Sequence, residues 1–327
     1  MMTGKITDVA GIAVGHVSDF EALTGCTALL FEAGAVAGVF VPGMASTTRG
    51  LDTLRLTHLN ETIHGILLSG GSSFGLNATG GVMRYLEERG IGFDVRCTVV
   101  PLVPSAILFD LGLGDCSVRP GEQMGYLACT QATVSEVAEG SIGVGTGATV
   151  GNLYGLKRAM KGGVGTASVE GPYGPVGALA AVNAFGDIVD RRTGKILAGL
   201  RDKQDGTELI GTASQLKQGI APRDFAFQNT TLGVVATEVN LSKAQASRIA
   251  MVANGALVKT ISPHHATFDG DVIFAVSTGR RAEEADVNVL SLLAEAALAE
   301  AIERAVVKAQ GLGGVPAYRD LFGKGKP

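Results

Sequence analysis

The sequence predicts an α+β fold in which helices pack on layered sheets. Predicted strands and helices alternate irregularly along the chain and include hairpin-like patterns, which disfavours a purely parallel doubly wound sheet. Glycine is abundant, with 47 residues in 327, as expected for many tight turns and close backbone approaches. Hydrophobic residues make up 46% of the chain and charged residues only 18%, so a large core can be buried. No repeat or clean boundary divides the sequence, and a single domain over residues 1–327 is expected.

Composition also excludes several classes of protein. The net charge is -4 without a basic block, so nucleic acid is not an expected partner. No apolar run approaches the roughly 18–20 residues of a membrane span, and no membrane partner is expected. The four cysteines lack CxxC spacing, so we expect no metal site and no disulfide framework. No secretory signal is evident, which leads us to expect a cytoplasmic protein.

In the first half of the chain, apolar runs alternate with polar loops. Runs at 27–31 and 35–41 predict a hairpin, with Gly34 in its turn. A buried strand at 63–68 is followed by a glycine-rich loop and then by a helical pattern from Leu76 to Gly90. A weaker helical pattern lies within 119–140.

The second half of the chain contains the clearest element signals. A strand at 176–184 ends near Asn183. Periodicity fades over 191–228, which predicts a surface segment that leaves the Asn229–Thr230 bond exposed. A capping-box pattern, Ser242 to Gln245, opens a helix. A strand at 271–278 and a long helix at 286–310 complete the chain.

Thr230 is the first candidate for chemistry. It stands at the head of an apolar strand in which Leu232, Val234 and Ala236 alternate with their neighbours. If the Asn229–Thr230 bond were cut, Thr230 would carry a hydroxyl and an α-amine with a pKa of about 8. A threonine activated by its own amine is a known nucleophile. Alternatively, these residues are an ordinary turn that leads into a strand.

Asp269 and Asp271 form the second candidate group. Residues i and i+2 on a strand share a face, so both carboxyls could point into one site, where they could share a proton. A helix separates them from the Thr230 strand, and this strand–helix–strand pattern places the two strands next to each other. Asp269 and Asp271 could also be turn residues that satisfy backbone donors.

Asn183 could donate its amide to a developing oxyanion, or simply cap a turn before Gly186. His264 and His265 invite a metal or base role, but no acidic or cysteine partner has ligand spacing. The Gly143-Val144-Gly145 run superficially resembles a dinucleotide fingerprint. It has Ala148 at the third glycine position and no acidic residue about 20 residues on, so nucleotide binding is not predicted. No cofactor is expected.

Taken together, these segments resemble a known family, the self-processing aminopeptidases of the DmpA type. That family includes L-aminopeptidase/D-amino-acid esterases, β-aminopeptidases and aminohexanoate-oligomer (nylon-oligomer) hydrolases. The resemblance covers nearly the whole chain in seven ordered segments, at 6–16, 68–76, 145–151, 162–168, 182–184, 229–231 and 268–271.

The resemblance implies a four-layer αββα sandwich like that of the N-terminal-nucleophile hydrolases, of the DmpA/ornithine acetyltransferase type. It implies self-cleavage into residues 1–229 and 230–327, with Thr230 as nucleophile in the hydrolysis of small aminoacyl or aminohexanoate-type amides. Asn183 matches the family's oxyanion residue, and Asp269 and Asp271 match its acidic pair. The family also suggests a homo-oligomer of processed αβ units.

The glycine-rich run places Gly145, Thr146 and Asn152 near the expected substrate or oxyanion site. Relatives often carry Lys at the position of Asn152 and Tyr near the position of Phe109. These departures leave two alternatives open. One is a weakly active or non-catalytic relative that binds a small amine-bearing ligand, and the other is an acyltransferase that uses the same acyl-threonine.

Overall fold

The computed structural model describes residues 4–219 and 229–323 of the chain. Within these residues, a nine-stranded sheet is accompanied by one sheet of three strands and two of two strands. The strands are β1 (Ala13–Asp19), β2 (Thr24–Phe40), β3 (Thr48–Arg49), β4 (Thr62–Ser69), β5 (Phe93–Asp94), β6 (Val99–Val100), β7 (Ser105–Ile107), β8 (Thr149–Val150), β9 (Met160–Lys161), β10 (Gly163–Gly171), β11 (Gly174–Asn183), β12 (Asp187–Val189), β13 (Ile196–Ala198), β14 (Thr230–Val239), β15 (Ile261–Ser262) and β16 (Val272–Arg281).

The helices flank the large sheet. They are α1 (Ala78–Glu87), α2 (Glu122–Thr130), α3 (Thr212–Lys217), α4 (Lys243–Ala253), α5 (Gly255–Thr260), α6 (Val287–Val307) and α7 (Tyr318–Phe322). Short 3-10 turns lie at Ile6–Asp8, Leu51–Leu54, Ser72–Asn77, Gly143–Gly145 and Asn152–Tyr154.

The large sheet folds over on itself to give two packed layers. Its strand order is β10-β11-β14-β16-β2-β4-β7-β3, and β1 pairs with β2 off this path. One buried core joins side chains of β1, β2, β4 and β7 to those of β11, β14 and β16, so the two halves of the sheet lie face to face.

Two further cores pack helices on the outer faces of this sandwich. On one side α4, α5 and α6 cover β11, β14 and β16. On the other side α1 and α2 cover β2 and β4. The layers are therefore helix, sheet, sheet and helix, which confirms the αββα prediction. Along β14 the expected alternation holds, because Leu232, Val234 and Ala236 face the inner core while Val235 faces the helices.

The strand–helix–strand prediction for the second half is confirmed. β14 and β16 are neighbours and run parallel, with Leu232 opposite Val272, and α4, α5 and β15 lie between them in the chain. The predicted capping box is present, since Gln245 N–H donates to Ser242 Oγ and Ser242 N–H donates to the Gln245 side chain. This unit carries Thr230 and the two aspartates to the same end of the sheet.

The predicted hairpin over residues 27–41 is wrong. Both apolar runs belong to the single 17-residue strand β2. Gly34 has a φ of 77°, and the pairing of β2 with β4 shifts register between Leu30 and Ala35. The strand bends at this irregularity and continues, so its first half pairs with β1 and its second half with β16. β2 thus links the two layers of the sandwich.

Other predictions are partly met. The helical pattern within 119–140 corresponds only to α2, which has nine residues. In the predicted surface segment 191–228, the described residues up to 219 include β13 and α3, and the remainder lies outside the described residues. Within the described ranges, no helix is long and apolar enough to cross a membrane.

Candidate active site

The candidate site lies at the end of the sheet where β14 begins. Thr230, the first residue of β14, is paired with Asn183, the last residue of β11. The preceding residue, Asn229, forms a parallel bridge with Asp269. These four residues and Asp271 are all at most 3% exposed. The structure therefore brings together the nucleophile, amide and acid candidates of the sequence.

The carbonyl group between Asn229 and Thr230 has two donors. Thr230 Oγ1 donates to Asn229 O at 2.6 Å, and the Gly270 N–H donates to the same oxygen at 2.8 Å. The expectation that this bond is exposed is wrong, because Asn229 and Thr230 are each only 2% exposed. Pairing with β11 and with the Asp269 loop buries them. An external protease could not reach this bond in the folded chain.

The two aspartates are in different surroundings. Asp271 Oδ1 accepts the Thr231 N–H at 2.7 Å, and Asp271 Oδ2 lies 2.8 Å from His265 Nδ1. Asp269 Oδ2 accepts the Ala266 N–H at 2.8 Å. Burial, followed by the nearby charge of Asp271, raises the pKa of Asp269 to about 7. Asp269 can therefore exchange a proton near neutral pH.

Asn183 and Asn152 organise the side of the site opposite the aspartates. Asn183 Oδ1 accepts the Thr149 N–H at 2.9 Å, and its Nδ2 donates to Phe109 O at 3.0 Å. Asn152 Nδ2 donates to Asn229 Oδ1 at 2.8 Å. Asn152 is thus in direct contact with the residue before Thr230, although it is not a lysine. Phe109 contributes its backbone carbonyl to the network.

A small cavity adjoins this network. Its lining is formed by Phe109, Asp110, Gly112, Leu113, Gly147, Thr149, Asn152, Leu156, Asn183 and Asn229. Of the glycine-rich run, Gly147 and Thr149 line the cavity, whereas Gly145 packs against the backbone of Gly163 and Val164. Thr146 donates its hydroxyl to Gly143 O at 2.7 Å. Gly145 and Thr146 therefore support the loop and do not line the cavity.

A buried cation supports the same loop. Lys161 is fully buried, and its Nζ donates to Thr146 O at 2.8 Å and to Ala148 O at 2.6 Å. Burial lowers the pKa of Lys161 to about 7, which the charge of Asp110 partly opposes. Burial likewise raises the pKa of Asp110 to about 6, against hydrogen bonds from Gly71 and Thr24. These groups fix the loop that presents Thr149 to Asn183.

Sequence reasoning missed two contributors to the site. One is the Gly270 N–H, which no side-chain pattern could reveal. The other is His265, which was considered only as a metal ligand or base, whereas it contacts Asp271 and lies 3.2 Å from Asn254. Its position six residues before Asp271 was the available signal. Among residues 4–219 and 229–323, no cluster of three or more His, Cys, Asp or Glu could hold a metal ion.

The layered fold is shared with solved structures. The L-aminopeptidase D-Ala-esterase/amidase of Ochrobactrum anthropi, described as a variant of the Ntn hydrolase fold, superposes with a TM-score of 0.71 at 21% identity. The superposition covers 97% of this chain and 90% of that one. The chain thus has the fold of the N-terminal-nucleophile hydrolases, in which Thr230 heads a central strand.

Sequence comparison identifies the family. The model of peptidase family S58 matches residues 4–318, so the chain belongs to that family and is a hydrolase of amide bonds. An uncharacterised aminopeptidase of Mycobacterium tuberculosis is 39% identical, over 97% of this chain and 98% of the relative. A 6-aminohexanoate-oligomer endohydrolase of Kocuria sp. is 31% identical, over 84% of this chain and 76% of the relative.

Proposed function

We propose that the chain cleaves itself between Asn229 and Thr230 and then hydrolyses amide bonds of small aminoacyl or aminohexanoate-type substrates through an acyl-Thr230 intermediate. One observation carries the proposal, namely the two hydrogen bonds to Asn229 O from the Thr230 hydroxyl and the Gly270 N–H. The hydroxyl is in contact with the carbonyl that it would attack, and the amide is in place to stabilise the oxyanion.

Self-cleavage begins as an N-to-O acyl shift. Thr230 Oγ1 forms a bond to the Asn229 carbonyl carbon, and its proton passes to a base, for which Asp269 has a suitable pKa of about 7. The C–N bond then breaks, and the departing nitrogen takes up a proton to become the α-amine of Thr230. Water hydrolyses the resulting ester, which releases the Asn229 carboxylate and restores the hydroxyl.

The mature site repeats this chemistry on an external amide. The new α-amine of Thr230, with an ordinary pKa of about 8, serves as a second base beside the hydroxyl. The substrate carbonyl takes the place of the Asn229 carbonyl near the Gly270 N–H. Asn183 Nδ2, which lines the adjacent cavity, supplies a second donor. The substrate amine leaves with a proton, and water then frees the acyl group.

The relatives support the substrate class. One relative is described as an uncharacterised aminopeptidase and another as a 6-aminohexanoate-oligomer endohydrolase, and amides of small amine-bearing acids fit both descriptions. The cavity beside Asn229 is small, with carboxamide, carboxyl, hydroxyl and apolar groups in its lining. Asn152, which binds the Asn229 side chain in the uncut chain, would be free to contact the acyl group of the substrate.

Intact mass spectrometry and N-terminal sequencing test self-cleavage. The purified protein should contain fragments 1–229 and 230–327, the second beginning Thr-Thr-Leu-Gly, and Thr230→Ala should remain one chain without amidase activity. Thr231→Val is the matched control. Thr231 is fully buried, and its hydroxyl has no partner within the described residues, so this variant should still be cut. An uncut, inactive wild type would refute the proposal.

Substrate assays on the processed protein separate the alternatives. Amino-acid p-nitroanilides and aminohexanoate oligomers should be hydrolysed, and an added amine should not outcompete water for the acyl group. Binding without turnover would favour the non-catalytic alternative, and efficient transfer to the amine would favour the acyltransferase.

A further inference from the structure

A chain of hydrogen bonds extends from Asp271 away from Thr230. The Thr231 N–H donates to Asp271 Oδ1 at 2.7 Å, and Asp271 Oδ2 lies 2.8 Å from His265 Nδ1. On the far side of the imidazole ring, His265 Nε2 lies 3.2 Å from Asn254 Nδ2. The chain thus connects the residue next to the nucleophile with the end of α4.

The partners define the proton positions along this chain. Asn254 Nδ2 can only donate, so His265 Nε2 accepts and the ring proton of a neutral imidazole resides on Nδ1. The Nδ1–H then donates to Asp271 Oδ2. Both oxygens of Asp271 accept bonds from N–H donors, which is the pattern of an ionised carboxylate.

The backbone holds the imidazole in this orientation. His265 has a φ of 50°, in the left-handed region that residues other than glycine rarely adopt. The neighbouring ring of His264 packs edge-on against it, with centroids 5.0 Å apart. The side chain of His265 is 23% exposed, whereas that of Asp271 is 4% exposed. An unfavourable backbone conformation next to a buried carboxylate is typical of a functional position.

We propose that His265, oriented by Asn254, is a positioning residue that fixes Asp271 as an anion. The two aspartates, Asp269 and Asp271, then have different roles. Asp271 anchors the Thr231 backbone and thereby the start of β14. Asp269, whose Oδ2 accepts the Ala266 N–H and which faces the charge of Asp271, is left to exchange the proton of Thr230. This inference rests on the function proposed above.

Within the described residues, few other charged groups act on Asp271. The titratable groups that face Asp271 are Asp269, His264 and His265. On the helices beyond Asn254, Lys259 and Glu295 pair with each other at 2.8 Å. Burial lowers the pKa of His264.

Substitutions at His265 test the proposal through the pH profile of kcat. His265→Phe removes the donor, and we expect kcat to fall about tenfold or more with KM changed less than about threefold. The acid limb of the profile should also shift, because the His265 N–H no longer stabilises the charge of Asp271, which acts on Asp269. His265→Asn, whose Nδ2 can replace Nδ1–H, should restore most of the rate. Gly121→Ala is the control and should keep the wild-type profile, because a Cβ at Gly121 would meet nothing within 4 Å.

A second measurement requires neither turnover nor a change at His265. In uncleaved Thr230→Ala protein labelled with ¹⁵N-histidine, His265 should carry its proton on Nδ1, and Asp271→Asn should change its chemical shifts while those of His16 stay in place. An Nε2–H tautomer would overturn the proposal, as would a wild-type rate and profile in His265→Phe or an Asn variant no better than Phe. An inactive wild type with the Nδ1–H tautomer would refute only the proposed function.

Discussion

Gly270 has no room for a side chain beside Thr230. A Cβ at this position would lie 2.8 Å from Thr230 Oγ1 and 2.9 Å from Ala45 O. Gly270→Ala would displace the Thr230 hydroxyl from the carbonyl that it contacts, and we expect self-cleavage to slow by about tenfold or more, since a misplacement of about 1 Å in a reacting group can cost about a hundredfold in rate. A time course of fragment formation on denaturing gels measures this effect.

Gly121→Ala is the matched control for that experiment. Gly121 has an ordinary φ of -123°, and a Cβ there would meet nothing within 4 Å. Its cleavage should follow the wild-type time course. Equal rates in Gly270→Ala and wild type would mean that the contact at Gly270 has no role in cleavage.

For single residues, the sequence indicates functional side chains better than functional backbone groups. Thr230, Asn183, Asp269 and Asp271 could be selected because hydroxyl, amide and carboxyl groups stand where strands begin or end. The Gly270 N–H could not, because every residue except proline has such a group and only the folded loop directs it at Asn229 O. His265 was missed because its partners, Asp271 and Asn254, are assembled by the loop between α5 and β16.

Among the elements, α6 and β10 pack backbone to backbone. A Cβ on Gly165 of β10 would lie 2.0 Å from Ala301 O and 2.5 Å from Ala305 N, both in the helix backbone. Gly165→Ala should therefore push α6 away from the sheet and lower the free energy of unfolding by about 2–3 kcal/mol.

Urea unfolding in a Thr230→Ala background, where the chain stays in one piece, is the appropriate measurement. Gly121→Ala again serves as the control and should change the unfolding free energy by less than about 0.5 kcal/mol. A similar small change in Gly165→Ala would show that α6 can shift on the sheet without loss of packing.

Elements with a distinct start signal were predictable, and the bent strand was not. The capping box at Ser242 and the long apolar stripe of α6 each have a physical cause that is local in sequence. β2 has the same local pattern as a hairpin, with two apolar runs around Glu32, Ala33 and Gly34. Only its pairing with β1 on one half and β16 on the other shows that it bends at this interruption and continues as one strand.

For the whole molecule, the position of the proposed cut within the sheet matters most. β14 and β16 belong to fragment 230–327, and they lie between β11 and β2 of fragment 1–229. If fragment 230–327 left the sheet, the pairings of β14 with β11 and of β16 with β2 would break. Both large cores would then be exposed. We expect the two fragments to co-elute in native size-exclusion chromatography and to separate only in concentrated guanidinium chloride. Separate native elution would contradict this architecture.

The interleaving of the fragments also determines how long an active molecule lasts. A newly made chain has every strand tethered to the next, so closing the sheet is an intramolecular event. After the proposed cut, a molecule that opens could recover only if the two separate fragments met again and their strands paired in the original order. Its lifetime is therefore governed by the height of the unfolding barrier rather than by the equilibrium between folded and open forms. Unfolding of the cut molecule would therefore be effectively irreversible.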